Sequence, residues 1–336
     1  MIIYDDNLQQ SLADFGIEIP LSRDRAKKAF EYLKDHPELG RFIDKWFIPR
    51  EDMLITKKDL LRVHSKKYVD KLYSDKLDEV LIKTYELIDE NGQYHRYKPE
   101  NAKRPLGDIF DNILNKVSGS YQCAAQALKS GFCFFFGGGM HHAQLDYGKG
   151  FCVINDVVIT CKKLQAENDV KTIWIIDVDA HKGDGTAALT KGDESIITLS
   201  EHMASGWPLS EKEYGSDGKY NPSFTPSKID IPVKMGEENK YVGRLEEGLK
   251  KLEGEYKKPD IAIVVLGSDP YQKDELESAK ELQLTLAQMK ERDLLIYNFL
   301  KTLNIPQAHL MAGGYGESSW EVYAQFLEYV LKDRLG

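Results

Sequence analysis

Ile175-Ile176-Asp177-Val178-Asp179-Ala180-His181-Lys182-Gly183-Asp184-Gly185 leaves a short apolar run and enters a glycine-containing loop. The run that leads into it, Thr172–Ile176, reads as a strand buried on both faces. Side chains two apart on an extended chain point the same way, so Asp177, Asp179 and His181 can share one face. Carboxylates left uncompensated at the end of a buried strand are costly to desolvate. An Asp-x-His pair presented in this way is a ligand pair for a borderline divalent metal such as zinc. A solvated acidic loop with a capping histidine is the plainer alternative.

Outward from this stretch, further short apolar runs lie at Phe132–Phe136, Ser195–Leu199, Ile229–Val233, Ile261–Leu266 and His309–Met311. Helical patterns separate several of them, at Val157–Glu167, Glu238–Leu252 and Leu284–Leu303. Strands that alternate with helices indicate βαβ units, hence an α/β fold with a parallel sheet covered on both faces. Residues 1–105 read as helical and loop-rich. Leu21-Ser22 precedes a charged helical stretch from Asp24 to Leu33, and Thr56-Lys57-Lys58-Asp59 reads as a helix start. Asp89 to Pro105, with Gly92, Pro99 and Pro105, reads as a long loop, and a helix is expected again from Ile109 to Leu128. A chain of 336 residues permits two domains. No repeat or linker divides it, so 1–336 is read as one domain, with residues 106–336 as the core that carries the site.

Lys plus Arg total 45 against 54 Asp plus Glu, a net charge of −9. That balance argues against a nucleic-acid or anionic-membrane partner, both of which call for clustered basic residues. The first residues, Met1 to Asp6, are unlike a signal peptide, and no apolar run approaches the ~18 residues of a membrane span. The four cysteines (Cys123, Cys133, Cys152, Cys161) form no CxxC pair and read as buried thiols. The expectation is a cytoplasmic protein.

In a parallel α/β sheet, chemistry sits beyond the carboxyl ends of the strands. Ile261–Leu266 ends in Gly267-Ser268-Asp269-Pro270, where Asp269 is either a turn residue or a third metal ligand. One His and two Asp leave room for water and substrate, which marks a catalytic site rather than a closed structural one. Phe134–Phe136 runs into Gly137-Gly138-Gly139-Met140-His141-His142. Tandem histidines are commonly surface polarity, but beside a metal they serve in proton transfer if carboxylates such as Asp177 and Asp184 orient their far nitrogens. Leu310-Met311 ends in Ala312-Gly313-Gly314-Tyr315-Gly316, where Tyr315 is placed to hydrogen-bond a developing oxyanion.

Taken in order, these motifs resemble the histone deacetylase family, including its bacterial relatives and the acetylpolyamine amidohydrolases. The resemblance runs from Val63-His64-Ser65 to Tyr315. It includes His141-His142-Ala143, Gly150-Phe151-Cys152-Val153-Ile154-Asn155-Asp156, Asp177 through Gly185, Ile231-Pro232-Val233 and Gly267-Ser268-Asp269. It implies a three-layer, open, eight-stranded parallel sheet of the arginase–deacetylase type. By resemblance Asp179, His181 and Asp269 are the zinc ligands, with ferrous iron the other candidate metal. His142 is the general base and then acid, and His141 its electrostatic partner. Asp177 holds His141, Asp184 holds His142, and Tyr315 polarises the scissile carbonyl. Gly150, Phe151, Trp207 and Leu276 line the acyl-lysine tunnel. An inner K⁺ or Na⁺ site uses Asp177, Asp179, His181, Ser200 and Glu201.

The implied reaction is metal-dependent hydrolysis of an N-acetyl amide, on an acetylated lysine peptide or an acetylpolyamine, to acetate and amine. Two Asp ligands cancel the charge of a divalent zinc, so bound water is acidified less than in a three-histidine site, and a separate base such as His142 is needed. Lys182 stands where many relatives have a second histidine, which is not a ligand position. The rim aspartate of many protein deacetylases is not evident near Lys103-Arg104-Pro105, and Leu276 replaces the glutamate gatekeeper of a polyamine-selective relative. These two departures leave the substrate open between peptide and polyamine, and the motifs do not encode oligomeric state. An arginase-like ureohydrolase would need a second-metal carboxylate where Gly183 stands. A silent acyl-amine sensor would have lost a ligand or catalytic residue, and none is missing.

Overall fold

The apolar run ahead of Asp177 forms a central strand in the computed structural model, which describes residues 1–9, 11–20, 24–89 and 91–336. Among these, eight strands form one parallel sheet: β1 (Ile2–Tyr4), β2 (Phe47–Pro49), β3 (Phe132–Phe135), β4 (Ile173–Asp177), β5 (Ile196–Met203), β6 (Ile229–Val233), β7 (Ile261–Val265) and β8 (Gln307–Leu310). Their order across the sheet is β2-β1-β3-β8-β7-β4-β5-β6. This is the α/β parallel sheet expected from the sequence, with the eight strands that the resemblance implied.

Alternation along the strands explains the three layers. Trp174, Ile176, Ala262, Val264, Phe132 and Phe134 face one side, where they pack on the helices Arg25–Asp35, Tyr241–Glu255, Leu286–Thr302 and Ser319–Leu335. Their neighbours Ile173, Ile175, Ile261, Ile263, Cys133 and Phe135 face the other side, against Ile109–Ser130 and Asp156–Glu167. With helices on both faces β4 and β7 leave no residue to water, so they read as nearly continuous apolar runs. Each such Ile or Phe contributes on the order of 1.5–3 kcal/mol by its burial. A further cluster, with Phe15, Leu60, Val63, Tyr68, Leu81 and Tyr85, packs the N-terminal helices against Ile109–Ser130 and against Val153, Ile154 and Val158.

Two strands escape the sequence reading. β1 and β2 are three residues each and pair in parallel, Ile2 with Phe47 and Ile3 with Ile48, and β1 also pairs with β3. Three residues carry no measurable periodicity, yet Ile2 and Ile3 are completely buried. The helix start at Thr56 is present as a capping box with Asp59. The helical pattern that follows is two helices, Lys57–Leu60 and Lys66–Leu72, and the break between them places His64 inward. The helix expected from Asp24 is Arg25–Asp35, while Leu21 and Ser22 lie outside the described residues. The four cysteines are buried and unpaired. Among the described residues no helix is long and apolar enough to cross a membrane.

From β3 the chain skips two places to begin β4, then runs outward through β5 and β6 before β7 and β8 fill the gap. A reversal of this kind opens a crevice at the carboxyl ends of the strands beside it. The loops that follow β3, β4, β7 and β8 meet there.

Candidate functional site

The end of β4 fixes the first group. Asp177 is the last strand residue and pairs in register with Ser200 on β5 and Val265 on β7. Val178 is clamped at both ends: its N–H donates to the Val265 carbonyl, and its own carbonyl accepts from Arg292 Nη1 at 2.9 Å. Arg292 is wholly buried and pairs with Asp293 at 2.7 Å. Asp179, His181 and Asp269 then converge, with one ligand atom from each lying within 4.8 Å of the others. His181 Nδ1 is 3.2 Å from Asp179 Oδ1 and 3.0 Å from Asp269 Oδ2. The second oxygen of each carboxylate is occupied, that of Asp179 by the Gly313 N–H and that of Asp269 by the Ala180 N–H.

A single ring nitrogen has one in-plane site, so it cannot bond both carboxylates at once. Two buried carboxylates turned toward each other also repel. Burial and the nearby Asp179 push Asp269 up to about 6. A divalent cation among these three atoms resolves both problems, and two oxygens with one nitrogen are an ordinary donor set for zinc. The residues therefore fit a metal.

The histidine pair comes from the loop after β3. Gly138 and Gly139 adopt positive φ, and a Cβ at Gly138 would lie 2.3 Å from Ser120 Oγ. The buried Asp156 carboxylate gathers that turn by accepting from the N–H groups of Gly139 and Met140 at 3.0 and 2.6 Å. His141 Nδ1 then donates to Asp177 Oδ2 at 2.6 Å and His142 Nδ1 to Asp184 Oδ1 at 2.8 Å. Their Nε2 atoms face each other at 2.9 Å. Burial works against a charge on His141, but Asp177 and Asp179 outweigh it and hold the ring up to about 9. Burial and the charge on His141 push His142 down to about 3. Two adjacent imidazoles driven apart in this way, one neutral and one charged, can serve as a base and an electrostatic partner.

Asp184 is held by more than its histidine. Gln144 Nε2 and Ser223 Oγ donate to its other oxygen at 3.2 and 2.6 Å. Neither partner was legible in the sequence, since each is a single polar residue far from any motif. His64, which the sequence marks only through the family resemblance, is buried behind this group. Its Nδ1 donates to the Gln144 carbonyl and its Nε2 accepts from the Asn155 N–H. Asn155 in turn caps the helix Asp156–Glu167 and donates to the His141 carbonyl at 3.2 Å.

A pocket rises from the Asp179–His181–Asp269 cluster between aromatic walls. Its lining includes His142, His181, Gly150, Phe151, Trp207 and Tyr315. Trp207 sits edge-on to both histidines, with ring centroids 4.6 Å from His142 and 5.6 Å from His181. Gly150 is required where it stands, because a Cβ there would come within 2.2 Å of the Trp207 ring and 2.8 Å of His142. Phe151 faces Tyr315 at 6.5 Å. Burial, with Asp269 and Asp179 nearby, raises the Tyr315 phenol well above its ordinary range, so it stays a hydrogen-bond donor. The Tyr315 N–H is anchored on Asp274 at 2.7 Å. Leu276 and Ser278 also line it, with Ser278 Oγ 3.1 Å from His181 Nε2. At the mouth stand Glu86 and Arg96, which sequence reading missed. Lys103 and Arg104 pair elsewhere, with Asp14 and Asp108.

The residues assigned to an inner cation site divide. Ser200 Oγ is buried beside Asp177 with no hydrogen-bond partner among the described residues. The Glu201 carboxyl, next along β5, belongs to the opposite face with Arg292 and Tyr241, where burial pushes it up to about 9. Lys182 reaches Asp230 at 3.3 Å and takes no part in the cluster.

Comparison with known proteins adds a family. The histone deacetylase domain matches residues 19–333. Histone deacetylase 2 of Arabidopsis thaliana is 24% identical over 285 residues, 85% of this chain and 68% of that protein. The acetoin utilization protein AcuC of Staphylococcus aureus (strain COL) is 27% identical, covering 98% of this chain and 79% of that protein. An uncharacterized protein of a Picosynechococcus strain is 29% identical over 223 residues, 65% of this chain and 69% of that protein.

Proposed function

This chain belongs to the histone deacetylase family, and we propose that it hydrolyses an N-acetyl amide of a lysine or a polyamine to acetate and free amine. The family is generally zinc-dependent, and the buried Asp179, His181 and Asp269 are the residues that would hold the metal, zinc or ferrous iron. The observation that carries the reading is the meeting of that cluster with a carboxylate-held histidine pair at the base of one aromatic pocket.

When bound, a divalent ion there supplies Lewis-acid polarisation of the amide carbonyl and lowers the pKa of an adjacent water. His142 accepts the proton of the attacking water, with its Nδ1–H fixed by Asp184 so that Nε2 presents the basic lone pair. His141, held cationic by Asp177, steadies the negative charge that develops next to it. Tyr315 donates its phenolic proton as a hydrogen bond to the developing oxyanion. His142 then returns a proton to the departing nitrogen. One water is consumed: the acyl carbon gains its oxygen, the C–N bond breaks, and the amine takes up a proton. Phe151 and Trp207 exclude water from the acyl-lysine stem, and Gly150 leaves room for it between Trp207 and His142. The buried Ser200 hydroxyl beside Asp177 supports an inner K⁺ or Na⁺ site built with Asp177, Asp179 and His181. We take residues 1–336 as one unit, because the N-terminal part contributes Glu86 and Arg96 to the same pocket.

Turnover of an acetyl-lysine peptide by the zinc-loaded protein tests this reading. His142→Ala and Tyr315→Phe are each expected to lower kcat by about 10²–10³-fold. Near-wild-type turnover in both would sink the mechanism.

A further inference from the structure

Glu86 and Arg96 are, apart from the histidines, the charged residues that line the pocket. They belong to one loop, folded back on itself by the Ile88–Tyr94 bridge and by the His95 N–H to Leu87 carbonyl bond. That fold sets the two side chains face to face, and Arg96 Nη1 donates to Glu86 Oε2 at 2.9 Å. The Arg96 guanidinium also lies over the Phe151 ring, 5.7 Å from its centroid. Phe151 is backed by Tyr85, stacked at 6.1 Å. The tunnel wall and the charged pair are thus one packed unit.

The backbone here is unusual. Among the described residues five non-glycines have positive φ, and three of them are Glu86 (54°), Arg96 (55°) and Phe151 (64°). Strain of this kind is kept where the surroundings fix a side chain for a purpose. Both side chains remain partly open to solvent, Arg96 at 34% and Glu86 at 46%, so each can reach a ligand at the mouth.

We propose that Arg96 and Glu86 read the head group of a free acylated amino acid, the α-carboxylate on Arg96 and the α-ammonium on Glu86, while the side-chain amide descends to the metal. The inference rests on the deacetylase reading and names its substrate class: a free Nε-acyl-lysine or a near homologue. A zwitterionic head group exchanges the existing ion pair in kind, one charge for each partner. An acetylpolyamine brings only cations and meets Arg96 as a like charge. A peptide brings neutral amides, which water hydrogen-bonds equally well. The reaction is the hydrolysis already written, with lysine and acetate as products.

The test compares three substrates on the full-length, zinc-loaded protein: Nε-acetyl-L-lysine, its Nα-acetyl, α-carboxamide derivative, and N-acetylputrescine. Wild type is expected to favour the free amino acid by about tenfold or more in kcat/KM. Arg96→Met should collapse the free-to-capped ratio through KM, Glu86→Gln should reduce it, and Arg96→Lys should restore part of it. A capped or polyamine substrate preferred by wild type, or a ratio unmoved by Arg96→Met, overturns the proposal. If no substrate is turned over, it is the deacetylase reading that fails. Calorimetry then decides the head-group assignment: Nε-acetyl-L-lysine binding to wild type but not to Arg96→Met upholds it, and no difference overturns it.

Discussion

At His64 the two ring nitrogens have fixed and opposite roles. Nδ1 must carry a proton to donate to the Gln144 carbonyl, and Nε2 must be bare to accept the Asn155 N–H. A second proton would break the latter bond, and burial opposes it as well, pushing the ring down to about 4 from its ordinary 6.5. The unfolded chain takes up that proton near pH 6.5 and the folded chain only near pH 4. The stabilisation from a neutral His64 is therefore complete above about pH 6.5 and is lost as the pH falls toward 4. It amounts to roughly 3 kcal/mol across that window. Urea unfolding from pH 7 to 4 should show the loss in wild type and a shallower one in His64→Gln. Identical slopes in the two proteins would remove His64 from the account. The residue-scale legibility of the site follows the same logic. Asp179, His181, Asp269, His141, His142 and Tyr315 stood out because each sits in a strand-end motif, whereas His64, Gln144 and Ser223 are isolated polar residues that only contact identifies.

At the scale of elements, β4 delivers both Asp177 and Asp179, and its last turn is held by a helix from the other end of the chain. Arg292, on Leu286–Thr302, is buried, donates to the Val178 carbonyl and pairs with Asp293. Removing one member of a buried ion pair leaves the other uncompensated, so Arg292→Met should destabilise the protein by about 3–5 kcal/mol. Arg292→Met combined with Asp293→Leu should recover part of that loss, because no charge is then stranded. Denaturant unfolding measures both, and a single-variant cost under about 1 kcal/mol would contradict the clamp. From its sequence, Leu284–Leu303 was legible as a helix but not as a brace for β4, since Arg292 reads as an ordinary surface cation. β1 and β2 were missed for a related reason: three-residue strands are stabilised by pairing and burial, not by local pattern.

For the whole molecule, the sheet order brings the ends of β3, β4, β7 and β8 to one crevice, and the two carboxylates that meet there repel each other. Zinc at a hundredfold excess over its Kd should raise the unfolding free energy by about 2.7 kcal/mol, and a chelator should reverse the gain. Asp269→Asn should abolish the zinc dependence in thermal unfolding; an equal response in that variant would place the metal elsewhere. The sequence by itself determined the parallel α/β class, because strands buried on both faces must be apolar throughout. It also marked out the carboxylates, histidines and glycine turns at the strand ends as candidate site residues, because buried carboxylates are costly unless compensated. Only the tertiary structure decided the rest. Strand order, the bracing of Val178 by Arg292 and the partners of Asp184 join residues far apart in the chain, and the Glu86–Arg96 pair depends on how one loop folds back on itself. Their energies come from burial and contact geometry, which no local stretch of sequence carries.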